Sequence, residues 1–174
     1  MAILEIIKAP DPRLKLVAKP VDKVDDSLRA FMDDMLETMY AANGIGLAAT
    51  QVGDLRRVLV MDLSAKEEDG TRDFKPMYFV NPEVLDESEE LNVYQEGCLS
   101  FPDQFADVER PKVVTISYLD YNGAVQKITA DDLLATCVQH EIDHLDGLTF
   151  VDHISKLKRD MIIRRLQKIK RYAE

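Results

Sequence analysis

The five residues His140-Glu141-Ile142-Asp143-His144 constrain this chain more than any other stretch. Two of its three histidines stand four positions apart, with a glutamate beside the first. On an α-helix, residues at that spacing are neighbours on one face, so both imidazoles reach one cation. Glu141 then reaches a water bound to that cation. Leu133, Leu134, Cys137 and Val138 precede the motif as an apolar face, and Glu141, His144 and Leu145 continue the same stripe. Two imidazoles and a carboxylate turned into a core are costly without partners, and a metal supplies one. The competing reading is a surface helix that happens to carry these side chains. The spacing points instead to a metal-dependent hydrolase, with metal on His140 and His144 and proton transfer at Glu141.

A catalytic metal takes a third protein ligand and keeps one position open. The extended pattern His-Glu-x-x-His-x-x-Gly-x-x-His fails here. Gly147 falls in place, but Phe150 stands where the third histidine belongs. A downstream glutamate is offered only by Glu174 at the end of the chain. His153 lies off the helical register and reads as a surface or structural histidine. Cys98, within Glu96-Gly97-Cys98-Leu99-Ser100, is the better third ligand. A thiolate is a strong, soft donor that the metal itself deprotonates. The alternative is a buried, inert cysteine, a common fate of intracellular thiols. Gly97 lets the backbone pass close to a neighbour, and Glu96 adds charge.

The length of 174 residues fits a single domain spanning 1–174. The net charge of −10 argues against general affinity for DNA or RNA. No apolar run approaches the length of a membrane span. The N-terminus lacks the basic start and small-residue cleavage site of a secretory signal, so a cytoplasmic setting is expected. The arm Leu4–Val24 is interrupted by Pro10, Pro12 and Pro20 and reads as extended. A helix follows, capped among Asp25, Asp26 and Ser27, carrying an apolar stripe from Leu28 to Tyr40 and stopped by Asn43-Gly44. Strands are expected at Val58–Leu63 and Met77–Asn81, separated by a polar surface loop at Ser64–Pro76. A hairpin pairs Val113–Leu119 with Ala124–Thr129 about Asp120-Tyr121-Asn122-Gly123. A second helix runs from Ala130-Asp131-Asp132 to about Leu145, and a third from Ser155 to near the C-terminus. The fold class is therefore α+β: mostly antiparallel strands packed around a central metal-binding helix, flanked by an N-terminal helix and a C-terminal amphipathic helix.

A third segment, Gly44-Ile45-Gly46-Leu47-Ala48-Ala49-Thr50-Gln51, lacks the Lys and Ser/Thr of a phosphate loop. Taken with Glu96-Gly97-Cys98-Leu99-Ser100 and Gln139-His140-Glu141-Ile142-Asp143-His144-Leu145, it closely resembles the peptide deformylases. The resemblance implies removal of the N-formyl group from nascent polypeptides that begin with formyl-methionine. It implies metal ligands Cys98, His140 and His144, with ferrous iron as the usual cellular metal and zinc, nickel or cobalt able to replace it. It implies an oxyanion site built from the side-chain amide of Gln51 and the backbone N–H of Leu99, although Gln51 alone reads as a capping or surface amide. Ile45, Cys137 and Val138 are expected to line the methionine pocket. Gly46, Glu96 and Gly97 are expected beside the peptide. The helical C-terminal segment resembles the branch typical of Gram-negative bacteria. One departure stands out: relatives often place a basic residue after the Ser-x-Pro-x-Gln stretch, where this chain has Phe105.

The terminal segment Ser155–Glu174 is amphipathic, with Leu157, Met161, Ile162, Leu166 and Ile169 as its apolar stripe. Eight cations against two acids give it +6 in a chain of net −10, leaving −16 elsewhere. That asymmetry suggests a docking surface for an anionic partner, and ribosomal RNA near the nascent-chain exit is the expected one. The competing reading is a solvated helix face.

Overall fold

The computed structural model describes residues 2–173. Met1 and Glu174, the latter the last residue of the expected C-terminal amphipathic segment, lie outside the described residues. Helix α1 spans Asp26–Ala41. Asp25 caps it, its side chain accepting from the Leu28 N–H at 2.9 Å, which satisfies one of the free donors of the first turn. Leu28, Met32, Met35, Leu36 and Met39 form its buried stripe, each full burial contributing roughly 1.5–3 kcal/mol. Asn43, at φ 59, then turns the chain out of the helix.

Seven strands follow: β1 Gly46–Ala48, β2 Val58–Met61, β3 Met77–Glu87, β4 Leu91–Cys98, β5 Phe101–Pro111, β6 Val113–Leu119 and β7 Val125–Asp131. β1, β2, β3, β6 and β7 form one five-stranded sheet in that order, with every pairing antiparallel. β4 and β5 form a separate two-stranded ribbon. Helix α2, Asp132–Leu145, packs on the large sheet. There Ala135, Val138, Ile142 and Leu145 meet Leu59, Met61, Phe79 and Ile116 in one apolar cluster. Helix α1 lies against a second cluster that includes Leu47, Val58, Val60 and Val80. The α+β class and the central helix are thus as the sequence indicates.

Three expectations need correction. β3 continues past Asn81 to Glu87, because register shifts between Val80 and Glu83 and between Val84 and Asp86 let the strand absorb Pro82 and stay paired with β6. The β4–β5 ribbon has no counterpart in the sequence reading: its side chains are largely polar and β4 alternates only weakly in burial. Leu133 is 45% exposed and faces a surface cavity rather than the sheet. Helix α3, Lys156–Ala173, forms as expected, but only Ile162 and Leu166 of its stripe are buried. They pack with Phe101, Phe150 and Val151, while Leu157, Met161 and Ile169 are exposed. No described helix is long and apolar enough to cross a membrane.

Candidate active site

Three pieces of chain converge on α2. The helix presents His140, Glu141 and His144 on one side, all buried. The β4–β5 turn presents Cys98 and Leu99. A 3-10 turn at Ala49–Val52 presents Gln51, and Thr50 ties that turn to α2 by donating from Oγ1 to the His144 carbonyl at 3.0 Å. Cys98, His140 and His144 each offer one donor atom, and these atoms all lie within 4.8 Å of one another. Cys98 Sγ sits 3.3 Å from His144 Nε2.

His140 has a fixed back side. Its Nδ1 lies 2.8 Å from Glu96 Oε1, so Nδ1 is the protonated nitrogen and Nε2 is left as the donor atom toward a metal. Arg110 holds Glu96 through two bonds of 2.7 and 3.0 Å. Burial opposes the charge on Glu96, but the His140 and Arg110 hydrogen bonds outweigh it and keep the carboxyl below its ordinary range. Arg110 also donates to Asp143 Oδ2 at 2.8 Å. Asp143 too is opposed by burial and is held below its usual value by His153 and Arg110.

Glu141 is the opposite case. Its burial, 3% exposed, outweighs the attraction of His140, and the carboxyl is pushed up to about 7. Its Oε1 lies 3.7 Å from His140 Nε2, and its Oε2 is buried with no hydrogen-bond partner among the described residues. Such an orphaned oxygen is unusual in a core. One thiol, two imidazoles and an adjacent free carboxylate fit a divalent metal in a catalytic rather than a closed setting. Cys137, one turn before His140, is a buried thiol pushed well above its ordinary range by burial and lines the cavity wall.

A cavity of about 970 Å³ opens onto this cluster. Ile45, Gly46, Glu96, Gly97, Cys137 and Glu141 line it. Val138 does not; it is fully buried against the large sheet. Gln51, 1% exposed, lies behind the wall. Its Oε1 accepts from the Ala48 N–H at 3.0 Å, and its Nε2 donates to Ser100 Oγ at 3.0 Å, 3.5 Å from Cys98 Sγ. Phe105, 61% exposed, lies across Gly97, where a Cβ would come within 2.7 Å of its ring. Arg110 adjoins the site and was not singled out in the sequence; Asp143 and Ser100 were named only as motif positions, and His153, read as a surface or structural histidine, is hydrogen-bonded to Asp143. The only signals were an acid inside the metal motif and an arginine on the strand next to Glu96.

A helix-borne His-Glu-x-x-His pair joined by a cysteine from a β-ribbon, beside an open cavity, defines the class: a metal-dependent hydrolase. Comparison with known proteins narrows it. The family model described as Polypeptide deformylase matches residues 3–160. A peptide deformylase of Rhizorhabdus wittichii is 54% identical over 98% of this chain and 97% of its own, and one of Bartonella tribocorum is 55% identical over 97% and 93%. The crystal structure of peptide deformylase from Ehrlichia chaffeensis superposes with a TM-score of 0.91 at 44% identity, covering 99% of both chains. The same protein has been solved in complex with actinonin, with a TM-score of 0.90. The chain belongs to the polypeptide deformylase family. It is a metal-dependent hydrolase that removes the formyl group from N-terminal formyl-methionine.

Proposed function

We propose that Cys98, His140 and His144 hold one divalent metal, Fe2+ in the cell, and that Glu141 carries the proton between water and the departing amine. When bound, the metal acts as a Lewis acid and activates water near neutral pH. The observation that carries the assignment is the buried, partnerless Glu141 carboxylate beside three converging donor atoms. The Glu141 carboxylate accepts a proton from the attacking water and returns it to the amine nitrogen, as an acid–base group should. The oxyanion that develops on the formyl oxygen is met by the Gln51 amide and the Leu99 N–H. Both are fixed in advance, Gln51 by Ala48 and Ser100 and Leu99 by the ligand that precedes it.

β1 is an edge of the large sheet and β4 belongs to the ribbon, and Gly46 and Gly97 bring both strands to the cavity. The peptide's main chain runs between them in strand-addition fashion. Ile45 and Cys137 receive the methionine side chain. Glu96 acts here behind His140 as well as beside the peptide. Residues 1–174 make one domain, working in the cytoplasm on nascent chains. The exposed cations of α3 dock on ribosomal RNA, so deleting 155–174 should weaken salt-sensitive ribosome binding while short formyl-peptides are still turned over. Unchanged binding by a folded truncation would remove the docking role.

The reaction itself is tested with formyl-methionyl-alanyl-serine and the metal-loaded protein under anaerobic conditions. Formate and the intact free-amine tripeptide are the expected products. Cleavage of the Met–Ala bond without formate would make the chain a peptidase instead.

A further inference from the structure

His140 is supported by a chain of contacts that leads outward to the surface. Behind its Nδ1 stand Glu96 and then Arg110, and Arg110 Nη1 reaches Asp143 Oδ2 at 2.8 Å. His153 Nε2 lies 2.7 Å from that same oxygen. An ionised carboxylate only accepts, so His153 donates from Nε2. Side-chain exposure rises along the chain, from 4% at Arg110 through 18% at Asp143 to 33% at His153. None of Arg110, Asp143 and His153 lines the cavity.

The turn that bears His153 touches His140 a second time. It is a 3-10 turn at Phe150–His153, fixed by the Thr149 N–H donating to Asp152 Oδ2 at 2.8 Å. The Phe150 ring stacks on the His140 imidazole, centroids 6.1 Å apart and planes inclined by 19°. One short turn therefore braces the imidazole both on its face and through the hydrogen-bond chain. With two donors on one oxygen, the Asp143 carboxylate is pinned, and it in turn pins the guanidinium that orients Glu96.

We propose that His153 is a positioning residue for the metal ligand His140, acting through Asp143, Arg110 and Glu96. The proposal rests on the assignment of Cys98, His140 and His144 as the metal ligands. Partners behind a ligating histidine set its tautomer and ring orientation, and with them metal affinity. Loosening the outermost member costs metal retention and turnover, and leaves peptide binding alone.

The test uses the full chain loaded with cobalt(II): wild type, His153→Leu and His153→Gln. Cobalt affinity is measured by chelator competition, the visible ligand-field band by absorption, and kcat and KM with formyl-methionyl-alanyl-serine. His153→Leu should weaken cobalt binding about tenfold, the low end for groups behind a ligand. It should also shift the band and lower kcat with KM unchanged. His153→Gln, whose amide N–H reaches the same oxygen, should recover most of each loss. Wild-type affinity and an unshifted band in His153→Leu would overturn the proposal while leaving the metal assignment standing. So would a His153→Gln protein as impaired as His153→Leu, since that result reduces the histidine to packing. A wild type that holds no cobalt would overturn both.

Discussion

Alanine at position 46 would set a methyl group against the catalytic carboxylate. Its Cβ would lie 2.9 Å from Glu141 Cγ, 3.0 Å from Cδ and 3.2 Å from Cys137 Sγ. Carbon atoms in contact sit about 3.5–4.0 Å apart, so the Glu141 side chain must retreat by roughly 0.6–1 Å. It has little room to do so, because Glu141 is 3% exposed and Cys137 6%. Overpacking of this kind costs about 1–3 kcal/mol of stability. Misplacing a reacting group by that distance costs about 10²-fold in rate. Gly46→Ala should therefore lower kcat for formate release about 10²-fold at equal metal content, with a urea midpoint shifted by the equivalent of about 1–3 kcal/mol. A kcat within about threefold of wild type would show that the Glu141 carboxylate does not need this position.

Three further outcomes follow from the same geometry. Glu96→Gln takes a charged acceptor from His140 and leaves Arg110 with half a partner, so metal affinity should fall about 10–100-fold in chelator competition and stability by about 3–5 kcal/mol in urea. Unchanged metal affinity would remove Glu96 from the support of the ligand. Gln51→Ala should cost about 10²–10³-fold in kcat with KM little altered; a rise in KM alone would make Gln51 a binding group. In the metal-free protein, Glu141 has a folded value of about 7 against 4.5 for an ordinary glutamate, the rise caused by burial. A raised acid contributes its stability while protonated, fully below the unfolded value, and loses it as pH rises toward the folded one. Between those limits this group removes about 3 kcal/mol, and Glu141→Gln should abolish that loss when urea midpoints at about pH 5 and 8 are compared in the presence of a chelator. Parallel pH profiles for the two proteins would contradict the burial account.

What the sequence made legible was the part governed by local spacing. Helix α1 announces itself through the Asp25 cap and the methionine stripe, and β6–β7 through alternation about Asp120-Tyr121-Asn122-Gly123. The metal motif is a four-residue interval on a helix, and the structure brings Cys98 to it from 42 positions away. The β4–β5 ribbon was not legible, because a polar, two-sided strand pair has no hydrophobic period to read. Its tip nevertheless carries Cys98 and Leu99. The Arg110 network was hidden for a related reason: Glu96 and Arg110 join across two strands, and Asp143 and His153 join a helix to a turn, so no single window holds the pair. Val138 shows the limit of stripe reasoning, since a helix buried on nearly every side gives adjacent apolar residues different neighbours.

The proton role of Glu141 is the centre of the account, and the most direct measurement is kcat for formate release by wild type and Glu141→Ala. Both are to be loaded anaerobically with the same metal and matched in metal content. A loss of about 10²–10⁴-fold in the variant, with metal retained, is the predicted result. A variant that holds its metal and releases formate at the wild-type rate would contradict the mechanism drawn from this site.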